Sequence, residues 1–309
     1  MSNETFLREI GRILAGGYYD LQGIRLGIMN RLREVIRLKN EGLDASTREK
    51  KKEPDEKALG EEYSDKKLPE LLTEMKATGK LNDKEYGYVI RLQTLLKLAK
   101  NLEKEYLSFM NEYISGEAIW TQWLSGVKGI STVLCANLLK EVGYCDGIYT
   151  EDVLDDEGEI LHRKGDERTP SISSLWRYFG LDVVDGKAPK RRRGEKIGYK
   201  PRLRTLAWKI TDSFVKQRTP YYRDVYDKEK ERQLRLMEEK AENAPERPLH
   251  AELRARRKTA KLFLSHFWFV ARTLKYLSTE PPYVEARLGH KHIIMPEFDE
   301  EEGIYKIKR

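Results

Sequence analysis

Apolar residues recur at helical spacing through most of the chain, and the places where the spacing lapses divide it. From Phe6 to Lys39, the positions Phe6, Ile10, Ile13, Leu14, Leu21, Ile24, Ile28, Leu32, Val35 and Ile36 predict a long helix, with Gly16 and Gly17 as its expected break. Asn40 to Lys67 is almost wholly charged or polar and contains Pro54 and Gly60, the composition of a flexible linker. Helical spacing returns from Leu68 to Tyr113. Leu71, Leu72 and Met75 mark one segment there, and Tyr88, Leu92, Leu95, Leu96, Leu98, Leu102, Tyr106 and Phe109 a longer one. Such helices can build an antiparallel bundle or a homodimer seam, the bundle being the plainer reading.

The stretch Gly116 to Gly143 reads as two short helices joined by a glycine turn, a helix-hairpin-helix. Ala118, Ile119, Trp123 and Leu124 give the first helix its apolar face, and Val133, Leu134, Leu138 and Leu139 the second. The turn, Gly126 to Ile130, precedes a helix whose opening amides lack intrahelical acceptors, so Gly126, Lys128, Gly129, Ile130, Ser131 and Thr132 form an expected phosphate site. Ser131 is placed to cap that helix. An ordinary αα-hairpin would use the same glycines only to reverse the chain.

Beyond it, Ile148 to Arg163 has short β-capable runs around Asp155 to Gly158 and predicts a β-hairpin. Ser171 to Leu181 reads as a capped short helix closed by Gly180, with Leu175, Trp176 and Phe179 inward. A basic arm follows: Lys187, Lys190, Arg191, Arg192, Arg193, Lys196, Lys200, Arg202 and Arg204 stand against the single acid Glu195. A solvated loop accounts for such a run, and so does an arm that tracks phosphates. Pro201 suits the first turn of a helix burying Leu203, Leu206, Ala207, Ile210 and Phe214. Another helix starts at Tyr221 and Tyr222, aromatics that close a core edge or stack on bases. His250 to Ser278 forms the strongest amphipathic helix of this half, with Leu253, Ala260, Phe263, Leu264, Phe267, Val270, Ala271, Leu274 and Leu277 on one side and Arg254, Arg256, Arg257, Lys258 and Lys261 crowding its start.

These patterns give a mainly α fold: a helical N-terminal bundle, and a helical domain containing the helix-hairpin-helix and one small β-hairpin. The expected divisions are 1–113, 114–145, 146–248 and 249–309. The formal net charge of +7 over 309 residues, with pI near 9.1 and a mean hydropathy of −0.70, favours a polyanionic partner. Cys135 and Cys145 are too few for a disulfide scaffold, and neither an apolar run of membrane-spanning length nor a signal sequence is present, so a cytoplasmic protein is expected. His290 and His292 read as a surface loop rather than a metal site, and no GxGxxG, Walker or CxxC pattern occurs; no cofactor or metal is expected.

Four segments in order, VKGISTVLCANLLKEVG (127–143), SISSLWRYFGL (171–181), KIGYKPRLRTLAW (196–208), and TPYYRDVY (219–226) followed by AELRARRKTAKLFLSHFWFVAR (251–272), resemble the C-terminal transposase-twenty domain of the insertion-sequence one-ten and one-sixteen transposases. The resemblance implies DNA as partner. In that family an N-terminal RuvC-like domain supplies four acidic metal ligands, and a serine between the GL segment and the LR helix links covalently to DNA. This chain departs from both: residues 1–113 show helical periodicity, and no serine lies between Ser174 and Ser213, where DVVDGKAPKRRRGEK stands instead. The family-typical second glycine of the hairpin is Ser131.

The leading expectation is therefore a non-catalytic protein that binds duplex or junction DNA through the hairpin and basic arm, nucleoid-associated when bound, with the N-terminal helices for dimerisation. An active strand-transfer protein or nuclease, with ligands among Asp152, Asp155, Asp156, Asp182 and Asp185, is a second reading. An RNA-binding or structural adaptor is a third.

Overall fold

Amphipathic segments with capped ends fold into helices joined mostly by short connections. The computed structural model describes residues 3–40, 67–146, 153–154, 160–162, 171–183, 188–190, 194, 197–239, 248–279 and 294–307. The expected linker thus falls almost entirely outside the described residues, as do His290 and His292. The chain is mainly helical: α1 (Asn3–Asn40), α2 (Leu68–Ala77), α3 (Asp83–Ser115), α4 (Ala118–Gln122), a 3₁₀ turn (Leu124–Gly126), α5 (Thr132–Val142), α6 (Ile172–Tyr178), α7 (Pro201–Gln217), α8 (Tyr222–Glu239) and α9 (Pro248–Leu274). Two antiparallel β-pairs complete it: β1 (Val153–Leu154) with β2 (Ile160–His162), and β3 (Glu297–Asp299) with β4 (Ile304–Lys306). Among the described residues no helix is long and apolar enough to cross a membrane.

Contacts divide the chain into two units, 13–109 and 1–12 with 110–309. In the first, α1 and α3 run antiparallel, with Gly17 against Tyr106, Arg25 paired to Glu103 and Lys39 paired to Glu85. The helix does not break at Gly16 and Gly17. A Cβ on Gly17 would stand 2.4 Å from the Tyr106 ring, so this glycine serves close helix approach. Leu68, Leu72 and Met75 of α2 close a core with Met29, Leu32, Ile36, Leu81, Val89 and Leu96. At the start of α3, Asn82 accepts the Glu85 amide while Glu85 accepts the Asn82 amide, a reciprocal cap.

In the larger unit α9 is the helix on which the others pack. Phe263, Leu264, Phe267, Trp268, Val270 and Ala271 are buried in its second half, together with His266 and Arg272. Phe214 of α7 stacks on Tyr222 at 4.5 Å, Phe263 packs edge-on against both, and Trp123 stacks on Phe263. The fully buried Arg272 donates to the Cys145 carbonyl and the Ser278 carbonyl, each at 2.7 Å, fixing the chain where it leaves α5 and α9. The helix stops at Leu274, short of the expected Ser278, and Leu253 is 44% exposed instead of buried.

The expected β-hairpin forms as β1–β2. The β3–β4 hairpin, with Phe298 against Tyr305 and Gly303 at φ 65°, falls where the sequence showed only a tail.

Candidate nucleic-acid interface

The helix-hairpin-helix is built as its periodicity demands. Ile119, Trp123 and Leu124 of the first helix and turn and Leu134, Leu138 and Leu139 of the second are buried, and Ser131 caps α5 by accepting the Leu134 amide at 3.4 Å. Between the helices the Ile130 amide donates to the Val127 carbonyl, closing a β-turn whose third residue, Gly129, has φ 93°. That is where a type II turn calls for glycine.

The turn is not open on all sides. Its Gly129 carbonyl accepts the Ser213 hydroxyl at 2.6 Å and its Lys128 carbonyl the Thr219 hydroxyl at 2.7 Å, so it is docked onto the end of α7. A Cβ on Gly129 would lie 3.1 Å from both hydroxyls. The Gly126 amide donates to the Trp123 carbonyl, and Ile130 is buried with its amide bonded. These two drop out as phosphate donors because their N–H groups are already engaged. What faces outward is the exposed Lys128 and Ser131 and the half-buried Thr132, whose hydroxyl bonds Asn111.

The described part of the basic arm is divided too. Lys190 and Arg202 are exposed. Lys200 lies over the Tyr178 ring and 3.7 Å from Glu141, and the Tyr178 hydroxyl, with smaller help from Glu141, raises its pKa. Arg204 turns inward, donating to the Pro189 carbonyl at 2.7 Å and the Tyr199 hydroxyl at 2.9 Å. It anchors the arm to α7. Lys187, Arg191, Arg192, Arg193 and Lys196 lie outside the described residues.

Lys200 reaches the second helix of the hairpin at Glu141, but Arg204 and the hairpin turn lie apart. Ser213 holds the turn at one end of α7, while Arg204 sits nine residues earlier, about 13 Å along the axis at 1.5 Å per residue.

At that far end, α7 and α9 bring together a cluster that sequence order keeps apart. Arg257 is half-buried among Arg204, Arg254 and Asp182; burial lowers its pKa first, and Arg204 and Arg254 lower it further. Lys261, one turn on, is lowered by burial and then by Arg257. Its ammonium lies 4.7 Å over the Trp176 ring, whose indole N–H holds the Lys261 carbonyl at 3.0 Å. Asp182 thus faces two cations, Arg257 and Lys261, and Arg204 and Arg254 add positive charge beside Arg257. Among the described residues neither the Arg257 guanidinium nor the Lys261 ammonium has a hydrogen-bonded partner. An anion placed there would offset both repulsion and desolvation. The run of basic residues at the start of α9 was the only sequence signal, and it could not show which of them face Arg204.

Other groups resolve into structure. Tyr222 is buried, its hydroxyl 2.8 Å from His266 Nδ1, so it cannot stack on bases. Burial lowers the His266 pKa to about 3, against the opposing pull of the Ile294 carbonyl. Cys135 and Cys145 are free and buried, and burial pushes the Cys145 thiol up to about 12. Among the described residues no three His, Cys, Asp or Glu side chains gather as a metal site requires. Asp182 faces Arg257 and Lys261, while Asp152, Asp155, Asp156 and Asp185 lie outside the described residues.

Comparison of the chain with protein-family models, with curated proteins and with solved structures returned no match.

Proposed function

We propose that this protein is a non-catalytic DNA-binding protein related to the transposases its C-terminal segments resemble, and that it holds the phosphate backbone. Arg257 and Lys261 form the principal phosphate site, Arg204 and Arg254 add positive charge beside Arg257, and Lys190 and Arg202 are exposed on the arm. Lys128, Ser131 and Thr132 at the hairpin form a second, lesser site. The observation that carries this reading is the half-buried pair Arg257 and Lys261, held against the Trp176 ring and beside Arg204 and Arg254, where burial first and neighbouring arginines second lower both pKa values against the pull of Asp182. A separation of about 13 Å along α7 corresponds to about four base-pair steps at ~3.4 Å, so one duplex backbone can reach both. Contacts of this kind position a duplex without reading its bases, so binding depends weakly on sequence.

The test is fluorescence anisotropy of labelled duplex and four-way-junction DNA at several salt concentrations, with wild type and an Arg257→Gln/Lys261→Gln variant. If about six phosphates are neutralised, log K falls against log salt with a slope of about −5, and the variant's slope is shallower by about two. Salt-independent affinity, or a variant indistinguishable from wild type, overturns the assignment. Tighter binding of structured RNA than of either DNA would transfer the site to RNA.

A further inference from the structure

Helix α3 carries two apolar faces. Val89, Leu96 and Ala99 are buried within its own unit, whereas Tyr88, Leu95, Leu98, Leu102 and Phe109 stay 50–54% exposed. Tyr88, Leu95, Leu102 and Phe109 recur every seven residues, and Leu98 occupies the intervening apolar position. An exposed row of this length, about 32 Å at 1.5 Å per residue, is the pattern of a coiled-coil seam.

We propose that this row is a self-association seam in which two copies of the chain pair their α3 helices antiparallel about Leu98. The row is self-complementary under that symmetry. Leu98 meets its own counterpart, and Tyr88 comes opposite Phe109 of the second copy and Leu95 opposite Leu102, each to within one residue, about 1.5 Å along the helix. The same operation sets Arg91, seven residues before Leu98, opposite Glu105, seven after it. Both are exposed. Parallel pairing would instead put arginine on arginine and glutamate on glutamate, so the charges select the antiparallel arrangement. A two-fold seam repeats each contact, giving two Arg91–Glu105 pairs around one apolar strip. The seven-residue repeat, shorter than two full helical turns, makes the paired helices coil left-handed.

Sedimentation velocity of the full chain from about 1 to about 100 µM tests this. Wild type is expected to dimerise across that range, and Leu95→Glu/Leu102→Glu to remain monomeric, at least ~100-fold weaker. Arg91→Glu and Glu105→Arg are each expected to weaken the dimer about tenfold, and the combined exchange to restore it to within about threefold. All four positions are exposed, and a far-UV spectrum confirms that each variant is folded. A wild type monomeric at ~100 µM overturns the seam, and failure of the exchange to restore dimerisation overturns its antiparallel register.

Discussion

The two ends of α7 use polar groups in opposite ways. At its C-terminal end, hydroxyls of Ser213 and Thr219 reach the carbonyls of the hairpin turn, and the turn's own amides at Gly126 and Ile130 are bonded. At its N-terminal end, Arg204 meets Arg257 across from α9, with Asp182 opposing the positive charge at Arg257. The first is a polar contact already completed; the second is one left open. Glycines and helix starts attract attention as phosphate sites, but a group bonded within the fold has little left to offer a ligand. Uncompensated charge held partly away from water is the stronger signal.

The largest effects expected bear on the docked end. His266 bonds Tyr222, which stacks on Phe214 beside the turn. Its imidazole titrates near 6.5 when unfolded and at about 3 when folded, so unfolding takes up a proton. Stability is therefore complete above pH 6.5 and falls as the pH drops towards 3. Glu229 adds to the loss below pH 4.5: burial pushes it up, but bonds from Arg232, Lys258 and Gln233 prevail and hold it at about 2. Its contribution, present above pH 4.5, disappears between there and 2. Thermal melts from pH 7 to 3 should show a falling Tm, and a flat profile would break the account.

Next is Gly129→Asp. Left-handed backbone and a Cβ 3.1 Å from two hydroxyls should cost about 2–4 kcal/mol in urea unfolding, making loss of DNA binding a folding effect. An unchanged midpoint would mean that the turn is not docked. Arg257→Gln/Lys261→Gln should do the reverse, lowering DNA affinity at least ~10-fold while raising stability by a few tenths of a kcal/mol as repulsion is relieved. Anisotropy and urea titrations of one preparation give both. The smallest effect is expected for Lys128→Gln, about a two- to threefold loss of affinity, because one exposed charge at the turn is well screened. If Lys128→Gln exceeds the double variant, the ranking of the two ends is inverted.

By itself the sequence determined the local elements. Apolar spacing located the helices of the larger unit, and the ends followed from residues acting within one turn: Ser131 and Ser171 cap, Gly180 closes α6 at φ 65°, and Pro201 opens α7. The buried face expected for α7 is the one observed, because a helix's inward residues are fixed by a period the chain itself carries. That period could not say how much of an apolar face would be covered. Leu96 is buried and Leu95 is not, and Gly17, placed as a break, receives Tyr106. Tertiary structure alone decided that Ser213 and Thr219 would engage the turn, and that Arg204 would face Arg257. Those residues lie more than fifty positions apart, and the energy that joins them comes from packing between helices, which leaves no local pattern to read.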